Sequence, residues 1–287
     1  MAPSSRAVEF LGFSLGEMLP EDGGLVAVLK GYFDASRALD GSFCVAGLVF
    51  APGQVAPFVE EWREMLGGRE VFHMVDVTHQ AGEFKGLAIP DTDAMIRAAV
   101  STITKRARFA VVVSCNLGEI IPALPSNNKD FGTPYPLCCW YCLATVGTWL
   151  DSEGRSDKVC YLFENGDGNQ GDADMLMWKV RRSRELSKAY HYHSHGFAGK
   201  KERRAVALQA ADLLAWEYTK FRRESYERNH AKNPDPKLEI RTPRLSFQSI
   251  FLNKRLKHKV LHLTPEKVWK YLVLCGLERP DQSSIPR

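Results

Sequence analysis

Several kinds of chemistry are missing from this 287-residue sequence. No run reaches the roughly 18 apolar residues that a membrane-spanning helix needs, so no such span is expected. The opening "MAPSSRAVEFLGFSLGEMLPEDGG" lacks a basic start followed by a continuous apolar core. It does not read as a secretory signal, and a cytoplasmic protein is expected. There is no G-x-x-x-x-G-K-[ST] phosphate loop, which argues against an ordinary NTPase, and no G-x-S-x-G elbow to support a serine nucleophile. Internal repeats and low-complexity tracts are absent too. Cysteine is present but odd in number, with 7 residues mostly inside apolar runs, which excludes a simple disulfide framework. In "LCCWYC", Cys138 and Cys142 have helical i, i+4 spacing beside Cys139. A structural zinc would want a fourth ligand and usually a loop, so packed core thiols are expected instead.

Acidity is missing from one end. Residues 196–287 hold 20 Lys and Arg against 10 Asp and Glu, a net +10, whereas residues 1–195 carry −6. A basic end on an acidic body suits a polyanionic partner, nucleic acid above all. A solvated surface is the plainer alternative.

What is present reads as an α/β chain. "LVAVLKGYFDAS" and "FCVAGLVFAP" form a hairpin across residues 25–52, since apolar β-rich runs flank a short polar turn. "QVAPFVEEWREML" has helical periodicity and stops at Gly67-Gly68. "VFHMVDVTHQAGEFKG" reads as irregular. "DTDAMIRAAVSTITKR" reads as a helix capped by Asp91 or Thr92. "RFAVVVSCN" and "KVCYLFENGDG" are buried strands, "LCCWYCLATVGTWL" is a long apolar helix, and "DADMLMWKVRRSRELSKA" is one helix with an acidic first turn. "YHYHSHGF" alternates as a strand. A hairpin that leads into βα units implies a mixed sheet with helices packed on it. The expected organisation is an N-terminal extension over 1–24, a main domain over 25–224, and a basic appendage over 225–287 that packs on the body.

One stretch raises a sharper question. "AVALQAADLLAWE", residues 205–217, is apolar almost all round yet carries Asp212 at its centre. A helix without a polar face is usually buried, and an unpaired buried carboxylate is costly unless it protonates, pairs or coordinates a cation. Two further acids share this setting. Asp34 closes the first strand and Glu164 closes "VCYLF". In an α/β sheet functional groups gather at the carboxyl ends of strands. If those strands are parallel neighbours, a helix laid across their ends brings Asp212 to Asp34 and Glu164. Three converging carboxylates repel, and a hard divalent cation, Mg²⁺ or Mn²⁺, resolves the repulsion. One or two such ions can activate a water and stabilise a leaving oxygen in phosphodiester hydrolysis. The plainer alternative makes Asp34 and Glu164 loop starters and pairs Asp212 with Arg203 or Arg204.

"YFDAS" on the first strand, "FHMVD" after a helix, an acid-ended middle strand and "LQAADLLAWE" late in the chain together resemble a prokaryotic RNase H-like family, known as domain of unknown function 3800. The resemblance spans roughly residues 28–220, and its sharpest element is the LQxAD helix. It implies an RNase H-like mixed sheet and an acidic two-metal site built from Asp34, Glu164 and Asp212, with Asp76 as a fourth candidate acid. His73 lies in the same family-like motif. The Lys200-Lys201 pair resembles a basic element that precedes the late helix, and with Arg203 and Arg204 it is expected to grip a nucleic-acid backbone. There is one departure: the family's first motif reads Asp-Glu-Ser-Gly, whereas Asp34 is followed by Ala35-Ser36-Arg37. Three outcomes follow from it: a weakened site, a site rearranged around Asp76 or Asp167, or a catalytically inactive RNase H-like nucleic-acid-binding or scaffold protein.

Two other patterns compete. "GDGNQG", Gly166 to Gly171, fits G-x-G-x-x-G between a strand and a helix. The nearby Glu164, Asp167, Asp172 and Asp174 would repel a pyrophosphate, so a glycine-rich turn is expected. "YHYHSH" places His191, His193 and His195 on one strand face by alternation. They form either a zinc or proton-shuttling set, or an exposed polar face with Tyr190 and Tyr192 packed inward; the second is expected. Two carboxylates would also suit a glycosidase, but no cleft rich in exposed Trp is suggested. The expectation is therefore a Mg²⁺- or Mn²⁺-dependent nuclease acting on DNA or RNA.

Overall fold

The computed structural model describes residues 28–124, 133–230 and 256–274. The extension expected over 1–24, Cys275 and most of the Pro-bearing stretch after residue 230 lie outside the described residues. The first hairpin pairs β1 (Val28–Arg37) with β2 (Ser42–Phe50) in antiparallel register. Gly41, at φ +81°, sits in its turn, a left-handed backbone that side chains with a Cβ rarely adopt. The chain then forms α1 (Val55–Leu66), α2 (Met74–His79) and α3 (Ile89–Arg106). Next come β3 (Ala107–Asn116), the short α4 (Leu117–Ile120) and the long apolar α5 (Pro134–Ser152). The strand β4 (Lys158–Glu164) leads to α6 (Gln170–Arg182), α7 (Arg184–Ala189) and β5 (Tyr192–Ala198). The late helix α8 (Leu208–His230), β6 (Lys257–His262) and α9 (Pro265–Leu274) complete the described fold.

The six strands make one mixed sheet, in the order β5-β4-β1-β2-β3-β6. β2 runs antiparallel to both β1 and β3, while β4 is parallel to β1 and β5 to β4. This is the mixed sheet expected from the sequence, an antiparallel hairpin followed by parallel βα units. Residues of the expected appendage extend it, because β6 pairs in parallel with β3. Helices cover both faces. On one face α8, α1 and α3 bury Tyr32, Ala46, Leu48 and Leu162 of the strands; on the other α5 and α6 bury Phe33, Val45, Val111, Tyr161 and Phe163. Each fully buried large apolar side chain contributes about 1.5–3 kcal/mol, so this alternation also fixes which face every strand residue takes.

Four local readings are corrected. Residues 71–86 are not wholly irregular, since Met74–His79 is a helix entered from an extended His73. α3 begins two residues before Asp91: its N-cap is Ala88, Pro90 occupies its first turn, and the Thr92 hydroxyl donates to the Ile89 carbonyl rather than capping. Proline favours that position because its missing N–H would be unpaired there anyway. The single helix expected across residues 172–189 breaks at Ser183, whose hydroxyl caps α7 by accepting from the Leu186 amide. The late helix, read over residues 205–217, spans Leu208–His230. Cys138, Cys139 and Cys142 are fully buried free thiols in the core, each with its proton held more tightly by burial. Among the described residues no helix is long and apolar enough to cross a membrane.

Candidate active site

The topology delivers the three acids to one place. β1 and β4 pair in register up to Phe33 opposite Phe163, so Asp34 and Glu164 are the next residues along two parallel neighbours. Side chains alternate along a strand. With Phe33 and Phe163 packed under α5, Asp34 and Glu164 take the opposite face, the one covered by α8. Glu164 stands in register with Ala198, the last residue of β5, and the chain reaches Lys200 two residues later. α8 lies over β1 and β2 and brings Asp212 down from above.

At the centre stands an ammonium group. Lys200 Nζ lies 2.8 Å from Asp34 Oδ2, 3.2 Å from Glu164 Oε2 and 2.9 Å from Asp212 Oδ1. The contact with Asp212 is an aligned hydrogen bond. The contact with Asp34 Oδ2 is an ion pair off the hydrogen-bond axis, and that oxygen has no aligned donor. The remaining oxygens of the two buried aspartates are committed to backbone. Asp34 Oδ1 accepts from the Ala35 amide at 2.7 Å, and Asp212 Oδ2 accepts from the Met74 amide at 2.7 Å.

One ammonium does not balance three carboxylates. Burial, then the neighbouring Glu164 carboxyl, push the Asp34 carboxyl up to about 7 against the pull of Lys200. Asp212 is also raised by burial, with Lys200 opposing. Burial disfavours the Lys200 ammonium, yet Asp212, Asp34 and Glu164 together outweigh it and hold the proton more tightly than usual. The cluster therefore has an unmet affinity for positive charge.

The remaining expected residues fall around this centre. His73 Nε2 stands 3.9 Å from Asp212 Oδ1, and its Nδ1 stands 3.4 Å from Asp76 Oδ2. His73 thus links Asp76 to the cluster. Asp167 turns into its own loop and accepts from the Asn169 amide at 2.8 Å. Of the expected nucleic-acid contacts, Lys200 points inward, with a side chain only 10% exposed. Lys201 is 77% exposed and 3.8 Å from Glu70. Arg203 is exposed, and Arg204 pairs with Glu202 at 2.8 Å. Neither arginine takes the ion-pair role that the plainer reading of Asp212 gave them; Lys200 takes it.

Ala35 packs against the core on the α5 side of the sheet. An acid at position 35 would therefore face away from the cluster. The three histidines do not converge. His191 precedes the strand at φ +48° and bonds the Asp157 carbonyl and Asp151, whereas His195 bonds Asp174 at 2.7 Å and Tyr192. Tyr190 and Tyr192 are buried, as expected, but His191 is buried with them, and the His195 side chain is covered rather than exposed. Gly166–Gly171 is a turn: Gly166 adopts φ +109° and donates to the Gln170 side chain at the start of α6.

Gln209 is the residue the sequence reading passed over. Fully buried, it accepts from Trp62 Nε1 and the Phe72 amide, each at 2.9 Å, and donates to the carbonyls of Glu70 and Lys200 at 3.1 and 3.0 Å. Its signal was the same as that of Asp212, a polar side chain inside an apolar helix. A separate concavity lined by Ser114, Tyr218 and Arg222 holds a closed polar network. There Ser114 Oγ meets Tyr218 OH at 2.9 Å and His262 Nδ1 at 3.0 Å, and Arg222 reaches His262 Nε2.

The donors match a divalent ion in chemistry but not yet in spacing. Carboxylate oxygens are the hard ligands that Mg²⁺ and Mn²⁺ take. Among the described residues, however, no three His, Cys, Asp or Glu side chains are set to hold a metal; the acids stand at the contact distances of an ammonium.

No protein-family model and no curated protein matches the chain. Among solved structures, it is similar to a chain of the PCNA–RNase HII complex from Archaeoglobus fulgidus. The identity is 12%, the match covers 90% of this chain and 96% of that one, and the TM-score is 0.38. A likeness that distant carries no argument about activity.

Proposed function

We propose that this chain is a Mg²⁺- or Mn²⁺-dependent nuclease of the RNase H-like family known as domain of unknown function 3800. The observation that carries the reading is the meeting of Asp34, Glu164 and Asp212 around one point, from two parallel strands and the helix across them. Their excess negative charge is what a hard divalent ion relieves. An ion held there supplies Lewis-acid stabilisation and an activated water for phosphodiester hydrolysis. The chain's own groups do the rest. The Ala35 and Met74 amides fix the orientation of the two aspartates, His73 stands beside Asp212 as a proton carrier, and Lys201 and Arg203 face solvent where a phosphate backbone can be gripped by charge. The test is cleavage of end-labelled single-stranded, duplex and hybrid nucleic acids with Mg²⁺ or Mn²⁺. Cutting is expected with wild type and not with Asp34→Asn; no cutting of any substrate by folded protein overturns the reading.

One observation favours a second reading, a catalytically inactive nucleic-acid-binding or scaffold protein. Lys200 already supplies a cation to all three acids. On that reading the protein binds nucleic acid in a salt-sensitive way without turnover, and divalent ions leave its melting midpoint unchanged.

A further inference from the structure

The two buried aspartates leave a cation little choice of ligand. Asp34 Oδ1 and Asp212 Oδ2 each accept a backbone amide at 2.7 Å. Their other oxygens, Asp34 Oδ2 and Asp212 Oδ1, are those that face Lys200 Nζ, together with Glu164 Oε2. A bound Mg²⁺ contacts carboxylate oxygens at about 2.0–2.1 Å, while the ammonium stands at 2.8–3.2 Å from the same three atoms. An ion that draws on these oxygens competes with the ammonium for the same lone pairs, and its charge repels the ammonium at close range. The lysine is free to yield at its tip alone. Its carbonyl is held by Gln209 Nε2 at 3.0 Å, whereas its flexible four-carbon stem can swing the ammonium clear.

We propose that Lys200 is a tethered counter-ion that holds the acid cluster together in the metal-free protein and leaves it when a divalent ion enters. The proposal rests on the metal-dependent reading of the site. Metal loading is then an exchange of one cation for another. Without Lys200 the three acids repel unopposed, so the metal-free protein is less stable while its affinity for the ion is higher.

The test uses Mn²⁺ alone as the probe, on full-length wild type and Lys200→Met, which keeps the apolar stem and removes the charge. Titration calorimetry at fixed pH is expected to give at least about tenfold tighter Mn²⁺ binding by the variant, since a like charge has been removed from the ion's immediate neighbourhood. Its metal-free melting midpoint is expected below that of wild type and to rise more with Mn²⁺. A second readout needs no variant. An amine-reactive label read by mass spectrometry should miss Lys200 in metal-free wild type and reach it at saturating Mn²⁺, with exposed Lys201 labelled in both states. A Lys200 that stays unlabelled at saturating Mn²⁺, or a Lys200→Met protein that binds no tighter than wild type, overturns the exchange and leaves the nuclease reading standing. Absence of Mn²⁺ binding by both proteins overturns the two together.

Discussion

Gln209 holds Lys200 by its carbonyl at 3.0 Å while Asp212, one turn further along the same helix, holds the same lysine by its ammonium at 2.9 Å. Both ends of one residue are thus tied to one face of α8. The same glutamine accepts from Trp62 and Phe72, so α1, the loop before His73 and the loop after β5 are all registered against the helix that carries Asp212.

Removing that hub is expected to cost stability out of proportion to its size. Gln209→Leu leaves the buried Trp62 indole and Phe72 amide without their acceptor and the part-buried Glu70 and Lys200 carbonyls without their donor, and a loss of roughly 2–4 kcal/mol is expected from denaturant melts. A change within the error of the melt would show that the glutamine is incidental.

The Asp34 carboxyl predicts an inverted pH dependence. Its folded pKa, about 7, lies above its ordinary value of 3.8, chiefly because of burial. The folded protein therefore binds the proton more tightly than the unfolded chain. This stabilisation is complete below pH 3.8 and is lost as pH rises through about 7. In the metal-free protein, Asp34→Asn should flatten this decline and gain roughly 1–3 kcal/mol on wild type between pH 5 and 8. Parallel pH profiles for the two proteins would contradict it.

His262 acts with the opposite sign. Burial, then Arg222 and Lys267, lower it from 6.5 to about 4. The folded protein favours the neutral ring, so stability is present above 6.5 and falls as pH drops toward 4. His262→Gln should remove this acid-side loss without altering metal binding, read by melting at pH 5 and 7.

Gly147 offers a purely structural control. A Cβ there would stand 2.4 Å from the Ala189 carbonyl oxygen and 3.1 Å from the Tyr190 Cα. Gly147→Ala must push α5 away from the end of α7, and a loss of about 1–3 kcal/mol is expected. Its metal titration should match that of wild type, because the acid cluster lies on the other face of the sheet.

Exposed basic residues should govern any grip on nucleic acid. Lys201 and Arg203 face solvent. Changing either to alanine should weaken binding evenly across sequences and reduce the slope of log affinity against log salt by about one. An unchanged slope for both would move the contact surface elsewhere.

Much of the fold was legible because its elements carry their own instructions. Apolar β-rich runs and helical periodicity located β1 to β5 and the long helices, whereas the parallel pairing of β1 with β4 stood only as a condition until the sheet showed it. The acids were legible for a related reason, since a carboxylate inside an apolar run marks itself. Three local features were not. Ser183 breaks a continuous helical pattern because a capping hydroxyl competes with helix propagation there. His191 leaves the strand alternation because its φ of +48° turns it out of register. Ala35, read as a gap beside Asp34, lies on the opposite face of the sheet once the register is fixed.

The sequence by itself marked out the acids set in apolar runs: Asp34 and Asp212, which are buried, and Glu164, which is half-buried. Their burial follows from the apolar residues on either side, which is a local property. Only the tertiary structure decided what neutralises them. Lys200 and Lys201 are adjacent and chemically identical, yet one is buried among three acids and the other is 77% exposed. Nothing local separates them. The difference arises because a helix distant in sequence anchors the Lys200 carbonyl and aims its stem at the carboxyl ends of two parallel strands.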